Sequence, residues 1–222
     1  MTPNETLALD LVERPGEAGV VKLSARAVLF RGLARQRGPE LIGAIEAVSA
    51  VSPFRHMTTP GGRAMSVALT NCGAAGWVSD RTGYRYDALD PATGRPWPAM
   101  PAAFAELAAA AAACAGFDGF EPDAALVNRY VPGSRLSLHQ DRNERDFGHP
   151  IVSVSLGLPA IFLWGGKRRA ERPARVPLLH GDVVVWGGED RLNFHGVAPL
   201  AEGAHRLTGG VRYNVTLRKA GP

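Results

Sequence analysis

The chain has 222 residues, 45% of them hydrophobic, which is enough to bury one sizeable core. Its 26 glycines and 17 prolines favour short strands joined by turns over a helical bundle, and its two cysteines argue against a disulfide framework or a cysteine-based zinc site. A net charge of +4 permits a polyanionic partner without requiring one. No signal sequence or membrane span is recognisable, so we expect one cytoplasmic domain, 1–222, monomeric by default.

The N-terminal half is predicted to contain an arm and two helices. Residues 1–19 are acidic and have no apolar run, which predicts a poorly ordered arm. Residues 20–31 alternate like one or two short strands. Apolar side chains at helical spacing predict helices over 39–51 and 101–116, the second with Cys114 in its buried stripe.

A strand-like stretch, 65–70, leads into residues 71–101, which are poor in aliphatic side chains and are predicted to form a long loop. This loop carries spaced aromatic rings, namely Trp77, Tyr84, Tyr86 and Trp97. Rings beside arginines suit stacking on bases and contact with phosphates, but they suit equally well a role in covering one face of a sheet. A second basic cluster consists of Lys167, Arg168, Arg169, Arg172 and Arg175.

From residue 125 onwards the pattern predicts about eight short strands separated by turn residues. They are expected at 125–130, 136–139, 151–157, 161–164, 176–179, 182–186, 194–197 and 211–217. Helices followed by many short strands predict a mainly β (α+β) fold. We expect a double-stranded β-helix, or jelly roll, over about 125–222, with a cover of helices and loops over about 20–120.

A candidate metal site ends the stretch 128–141. His139 and Asp141 lie two residues apart on a predicted strand, so both side chains point to the same face. An imidazole and a carboxylate are two thirds of a facial triad for non-haem Fe(II). Of the remaining histidines, His195 is the best third ligand because it lies on a distant predicted strand. His180 reads as a turn residue, and His149 and His205 as solvated loop residues.

The last predicted strand carries polar side chains on one face, namely Arg212, Asn214, Thr216 and Arg218. Such a face usually points to water. Two arginines on one face can also bind a dicarboxylate, since each guanidinium pairs bidentately with a carboxylate. Asn128 and Tyr130 form a similar polar pair. Iron ligands together with a dicarboxylate site would describe an oxygenase that uses 2-oxoglutarate.

An ordered set of motifs resembles the AlkB family of Fe(II)- and 2-oxoglutarate-dependent dioxygenases, which repair N-alkylated nucleobases. The set comprises Asn128-x-Tyr130, Leu138-His139-Gln140-Asp141, the runs 151–157 and 180–188, His195-Gly196 and Arg212-Tyr213-Asn214-x-Thr216-x-Arg218. Upstream, the likeness includes Thr70-Asn71-Cys72-Gly73, Gly76-Trp77 and 96–100, and it covers roughly 30–220.

The resemblance implies a role for each matching residue. It implies that Fe(II) is bound by His139, Asp141 and His195, and 2-oxoglutarate by Asn128, Tyr130, Arg212, Asn214 and Arg218. It also implies that substrate is contacted by Trp77, Tyr84, Arg169 and Asn143. In this family Arg212 would hold the distal carboxylate of 2-oxoglutarate, with Arg218 near its metal-chelating end. Trp77 would stack on the base opposite His139.

The implied reaction consumes O2 and 2-oxoglutarate and removes methyl groups from bases such as 1-methyladenine and 3-methylcytosine. The implied partner is alkylated DNA, preferably single-stranded, with RNA as an alternative. Asn143 departs from the family pattern, in which relatives carry an aspartate, and this leaves the lesion preference open. An oxygenase of the same type acting on RNA, protein or a small molecule is a second hypothesis. A non-catalytic jelly-roll binding module is a third.

Overall fold

The computed structural model, which describes residues 19–221, contains two large antiparallel sheets, two two-stranded ribbons, two α-helices and one short 3-10 helix, Gly188–Asp190. The helices are α1 (Gly38–Val51) and α2 (Ala102–Cys114). The first strands are β1 (Val20–Ser24), β2 (Ala27–Phe30), β3 (Ala68–Gly73), β4 (Gly76–Asp80), β5 (Gly83–Asp87), β6 (Leu89–Asp90) and β7 (Arg95–Pro96). The later strands are β8 (Ala124–Tyr130), β9 (Leu136–His139), β10 (Ile151–Gly157), β11 (Ala160–Trp164), β12 (Ala174–Leu178), β13 (Val183–Trp186), β14 (His195–Val197) and β15 (Arg212–Arg218).

The larger sheet has the order β1-β2-β13-β10-β15-β8-β3, and the smaller has the order β12-β11-β14-β9. The inner faces of the two sheets pack together, as Ile151 and Trp186 of the larger sheet share a cluster with Phe162 and Trp164 of the smaller one. This arrangement is the predicted jelly roll. All eight strands predicted after residue 125 are present, with ends that differ by at most two residues.

Both helices cover the outer face of the larger sheet. The apolar stripe of α1, which includes Leu41 and Ile45, packs with Phe104 of α2 against strand residues such as Val154 and Val215. Period-two alternation explains this packing, because apolar residues of β10, β13 and β15 face the helices while their neighbours face the second sheet. Both faces of the central strands are therefore buried.

Three expectations need correction. Residues 71–101 are not a loop: they complete β3 and form the β4–β5 hairpin and a short β6–β7 ribbon. The hairpin forms because side chains alternate across it, with Trp77 opposite Tyr86, and because Asp80 accepts a hydrogen bond from the Thr82 N–H at 2.8 Å in the turn. Cys114 is exposed, since it ends α2 beyond the helix surface that packs on the sheet.

The third correction concerns the bounds of a strand: the strand predicted at 65–70 is β3, which runs from Ala68 to Gly73. The predicted arm, 1–19, lies outside the described residues except for Gly19. His180 lies in a turn as predicted, although it is buried. Within the described part of the chain, neither helix is long and apolar enough to cross a membrane.

Candidate active site

Two histidines meet across neighbouring strands of the smaller sheet. His139 on β9 is the register partner of His195 on β14, and their ring centroids are 4.4 Å apart. The strands approach closely beside this pair because Gly196 has no side chain. A Cβ at that position would lie 2.6 Å from the Leu136 carbonyl oxygen. The pairing of β9 with β14 thus places two imidazoles at one spot in the cavity between the sheets.

Asp141 completes the cluster from the segment that follows β9. Its Oδ1 lies 3.6 Å from His139 Nε2 and its Oδ2 lies 3.7 Å from His195 Nε2. The candidate ligand atoms of the three residues lie within 4.8 Å of one another. Two imidazole nitrogens and one carboxylate oxygen at this spacing fit a 2-His-1-carboxylate site for Fe(II).

Hydrogen bonds and burial prepare both imidazoles for this role. His139 Nδ1 lies 2.9 Å from the Ser137 carbonyl oxygen, and His195 Nδ1 lies 3.0 Å from that of Asn193. A carbonyl can only accept, so each Nδ1 carries the proton and each Nε2 is left for a metal. Burial, with the neighbouring His139 ring, lowers the pKa of His195 to about 4, which keeps this imidazole neutral.

Arg218 holds the carboxylate of Asp141. Its Nε and Nη2 both donate to Asp141 Oδ2, at 3.0 and 2.6 Å. Burial alone would raise the pKa of Asp141, but the Arg218 guanidinium outweighs burial and holds that pKa far below its ordinary value. The carboxylate is therefore ionised, and Oδ1 is the oxygen left for a metal.

A second group of polar side chains lies deeper between the sheets. Arg212 is fully buried and donates from Nη2 to Ser155 Oγ at 3.0 Å. Its Nε and Nη1, together with the Tyr130 hydroxyl, find no hydrogen-bond partner among residues 19–221. The guanidinium carbon lies 4.9 Å from the Tyr130 ring centroid, and burial lowers the pKa of Arg212. A buried guanidinium with free donors fits a ligand carboxylate.

Neighbouring amides frame this arginine. Asn214 donates to Ser153 Oγ at 2.8 Å and to the Val154 carbonyl at 3.0 Å, and its oxygen accepts from Thr216. Asn128 is the register partner of Asn214 on β8 and also lines the cavity. The polar face of β15 thus points between the sheets rather than to water. The sequence left open whether this face points to water or binds a ligand, and its burial excludes the first interpretation.

Aromatic side chains of the β4–β5 hairpin form one wall of the cavity mouth. Trp77 and Tyr84 stack at 5.6 Å between ring centroids, with planes 16° apart. Asn71 fixes the Trp77 backbone with two hydrogen bonds of 3.0 Å, one to its carbonyl and one from its N–H. The Trp77 indole N–H donates to Asn143 Oδ1 at 3.1 Å, which links the hairpin to the segment after Asp141.

All twelve predicted site residues line a single cavity of about 820 Å³. Arg169 lines it together with three arginines that the sequence did not single out, Arg63, Arg135 and Arg142. None of these four forms an ion pair with an acidic residue in the described part of the chain, whereas Arg31, Arg55 and Arg191 are all paired. The cavity is therefore bordered by uncompensated positive charge.

Sequence reasoning missed three residues that contact the candidate metal ligands or their partners. Glu144, Arg191 and Tyr86 form a buried network beside Asp141. Glu144 lies only three residues after Asp141, and this proximity was the one signal in the sequence. The signal was weak because an acidic residue in a predicted loop is usually exposed to solvent. Tyr86 was noted only as one ring among several.

Comparison with known proteins agrees with this geometry. Residues 26–218 match the model of the 2OG-Fe(II) oxygenase superfamily. The chain is 56% identical over 199 residues to "Alpha-ketoglutarate-dependent dioxygenase AlkB" of Escherichia coli, which covers 90% of this chain and 92% of the relative. It is 36% identical over 121 residues to "Nucleic acid dioxygenase ALKBH1" of Mus musculus, covering 54% of this chain and 31% of the relative.

A solved structure shares the architecture. The structure of OsALKBH1 superposes with a TM-score of 0.80 at 25% sequence identity, covering 90% of this chain and all of that one. The family match at 26–218 contains every strand from β2 to β15 and every residue that lines the cavity. The chain belongs to the 2OG-Fe(II) oxygenase superfamily and, within it, to the AlkB family of alpha-ketoglutarate-dependent dioxygenases, which use Fe(II), 2-oxoglutarate and O2.

Proposed function

We propose that the protein removes methyl groups from N-alkylated nucleobases such as 1-methyladenine and 3-methylcytosine, releasing formaldehyde while 2-oxoglutarate is converted to succinate and CO2. One observation carries the proposal: a metal-type triad and a buried, unpaired arginine share a single cavity with stacked aromatic rings and four unpaired arginines. The name of the mouse relative, a nucleic acid dioxygenase, supports the same substrate class.

In this proposal His139, Asp141 and His195 bind the iron, which with 2-oxoglutarate and O2 supplies the oxidising chemistry for the methyl C–H bond. Arg218 orients Asp141 by occupying its Oδ2. Both imidazoles present Nε2 to the metal because backbone carbonyls accept hydrogen bonds from their Nδ1 atoms. These residues set geometry and charge and transfer no proton themselves.

Arg212 and Tyr130 receive the distal carboxylate of 2-oxoglutarate. Their buried polar groups lack partners of good hydrogen-bond geometry among residues 19–221, so an acceptor that enters the cavity would satisfy them. Asn214 lies beside them, already held by Ser153, so it offers a fixed polar surface. At the metal end, Asn128 and Arg218, which both line the cavity, would hold the keto-acid group. This division keeps both carboxylates of the co-substrate paired.

The substrate base enters between Trp77 and His139. A base inside a duplex cannot reach a buried iron, so it is extruded or presented on a single strand. Methylation at N1 of adenine or N3 of cytosine makes the base cationic, which favours stacking on an indole. Tyr84 and Asn143 brace the indole, and Arg169 contacts the strand.

Residues of about 20–120 serve as helical cover and recognition lid, and about 125–222 as the catalytic core. We propose single-stranded DNA as the preferred substrate, with RNA as the competing choice. We also propose a monomeric protein located in the cytoplasm, in line with its two free cysteines. The arginine border fits phosphates on either side of the extruded base.

The test supplies purified protein with Fe(II), 2-oxoglutarate, ascorbate and air, and with DNA or RNA oligonucleotides bearing one 3-methylcytosine or 1-methyladenine. We expect loss of one methyl group by mass spectrometry, dependent on 2-oxoglutarate and absent in Asp141→Ala. Turnover of 2-oxoglutarate with every oligonucleotide left methylated would reject nucleic acid as substrate. Faster reaction on RNA would reject the DNA preference.

Salt dependence tests the arginine border separately. If Arg63, Arg135, Arg142 and Arg169 each neutralise one phosphate, log Kd plotted against log salt has a slope of about 3 for a single strand. Arg142→Gln is expected to reduce that slope by about 0.7. Arg175→Gln, on the edge strand β12 and outside the cavity lining, is the matched control. Equal slopes for both variants would contradict the assignment.

A further inference from the structure

A buried carboxylate beside the candidate metal site has no role in the function proposed above. Glu144 lies in the segment after β9, and its side chain is only 2% exposed. Arg191 Nη2 lies 3.1 Å from its Oε2, and Arg218 Nε lies 3.4 Å from its Oε1. Both guanidiniums are themselves buried. Burying a carboxylate is costly unless it is paired, and here the two arginines supply the pairing.

The two arginines that Glu144 holds are those that fix Asp141. Arg218 donates to Asp141 Oδ2 at 2.6 Å, and Arg191 donates from Nη1 to the Asp141 backbone carbonyl at 2.7 Å. Side chain and backbone of Asp141 are thus both held through Glu144. The four groups also balance, with two carboxylates facing two guanidiniums. Without Glu144 the pair of arginines would leave one positive charge uncompensated beside a cation site.

Glu144 also contacts the hairpin at the cavity mouth. The Tyr86 hydroxyl donates to Glu144 Oε1 at 2.7 Å. Tyr86 lies on β5 as the register partner of Trp77 on β4. One carboxylate therefore connects the hairpin that carries Trp77 with both arginines on Asp141.

We propose that Glu144 is a positioning residue that holds Asp141 in its ligand conformation and, through Tyr86, ties the metal site to the base-recognition hairpin. The proposal rests on the role of Asp141 as an iron ligand. Arg218 lies between the carboxylates of Glu144 and Asp141 and interacts with both. In this position it orients Asp141 Oδ2, while Oδ1 stays available to the metal. Partners that orient a ligand in this way typically affect metal affinity 10–100-fold when they are removed, by order of magnitude.

The experiment measures binding of Mn(II), a redox-stable substitute for Fe(II), to the metal-free protein without nucleic acid. The free-ion electron paramagnetic resonance signal reports the unbound metal. We expect Glu144→Gln to weaken Mn(II) binding by about 10–100-fold. Tyr86→Phe removes one hydroxyl that contacts Glu144, and we expect it to weaken Mn(II) binding by about 3–10-fold, since a hydrogen bond to a charged group is lost in part. Glu40→Gln on α1 and Tyr213→Phe on β15 are matched controls.

A double variant separates positioning from a general loss of structure. If Tyr86 acts through Glu144, the double variant Tyr86→Phe, Glu144→Gln binds Mn(II) no more weakly than Glu144→Gln alone. Additive losses would overturn the link to the hairpin, and unchanged affinity in a folded Glu144→Gln protein would overturn the whole proposal. If Glu144→Gln does not fold, unchanged affinity in Tyr86→Phe still overturns the link. Failure of demethylation with these metal shifts intact would reject only the proposed function.

Discussion

Arg212 offers a test in which one substitution is expected to change two quantities in opposite directions. Its guanidinium is 1% exposed, and no acidic side chain of residues 19–221 pairs with it. Two of its nitrogens have no hydrogen-bond partner. Arg212→Met keeps a long side chain and removes the charge. We therefore expect the ligand-free protein to become more stable while binding of 2-oxoglutarate weakens.

The magnitudes follow from burial. Replacing a buried ion pair by apolar residues of similar volume is often neutral or stabilising by about 1–4 kcal/mol, and an unpaired buried guanidinium has no carboxylate to offset its desolvation. For a chain of 222 residues, a stabilisation of about 1–2 kcal/mol raises Tm by roughly 2–8 °C. Loss of a buried, bidentate partner of a carboxylate costs about 2–5 kcal/mol, which corresponds to roughly 30-fold to 4,000-fold in the Kd of 2-oxoglutarate.

Thermal unfolding with and without 2-oxoglutarate measures both effects, with Mn(II) present to fill the metal site. Wild-type protein at about 100 times its Kd gains about 2.7 kcal/mol from the ligand, and the variant should gain about 0.9 kcal/mol or less at the same ligand concentration. Arg175→Met, an exposed arginine on β12, serves as control. A variant that binds 2-oxoglutarate normally, or that is destabilised without ligand by more than 2 kcal/mol, would refute this reasoning about Arg212.

Three further changes test a buried ion pair outside the cavity and two positions within the site. Burial would raise the pKa of Asp90, but hydrogen bonds from Arg55 lower it. The ionised carboxylate therefore stabilises the folded protein above the ordinary carboxyl pKa of about 4, and this stabilisation is lost as the pH falls through the lowered pKa. Asp90→Asn should lower the free energy of unfolding at pH 7 by about 3 kcal/mol and flatten its fall below about pH 4, measured in urea; an unaltered curve would contradict the ion pair. Gly196→Ala should weaken Mn(II) binding at least about tenfold, because a Cβ would lie 2.6 Å from the Leu136 oxygen and part β9 from β14; wild-type affinity would show that the strands can yield. Asn143→Asp should lower KM for 3-methylcytosine about 3–10-fold by adding an anion beside a cationic base, and a higher KM would oppose this placement.

Local patterns predicted much of the fold and of the site. Strand periodicity after residue 125 predicted the jelly roll, and the spacing of His139 and Asp141 predicted two ligands close together, although β9 ends at His139 and Asp141 follows it. These features depend on neighbours along the chain, for which side-chain direction follows from secondary structure. The same reasoning failed at 71–101, because cross-strand pairing and not composition makes the β4–β5 hairpin.

The sequence by itself determined the strand order along the chain, the alternation on β15 and the chemical types at the site. Only the tertiary structure decided that the polar face of β15 lies between two sheets, and that His195 is the register partner of His139. It alone brought Glu144, Arg191 and Arg218 together from three separate segments. The physical reason is that ion pairs between distant segments leave no periodic trace in a sequence, since their energy depends on burial and distance, which exist only once the sheets have packed.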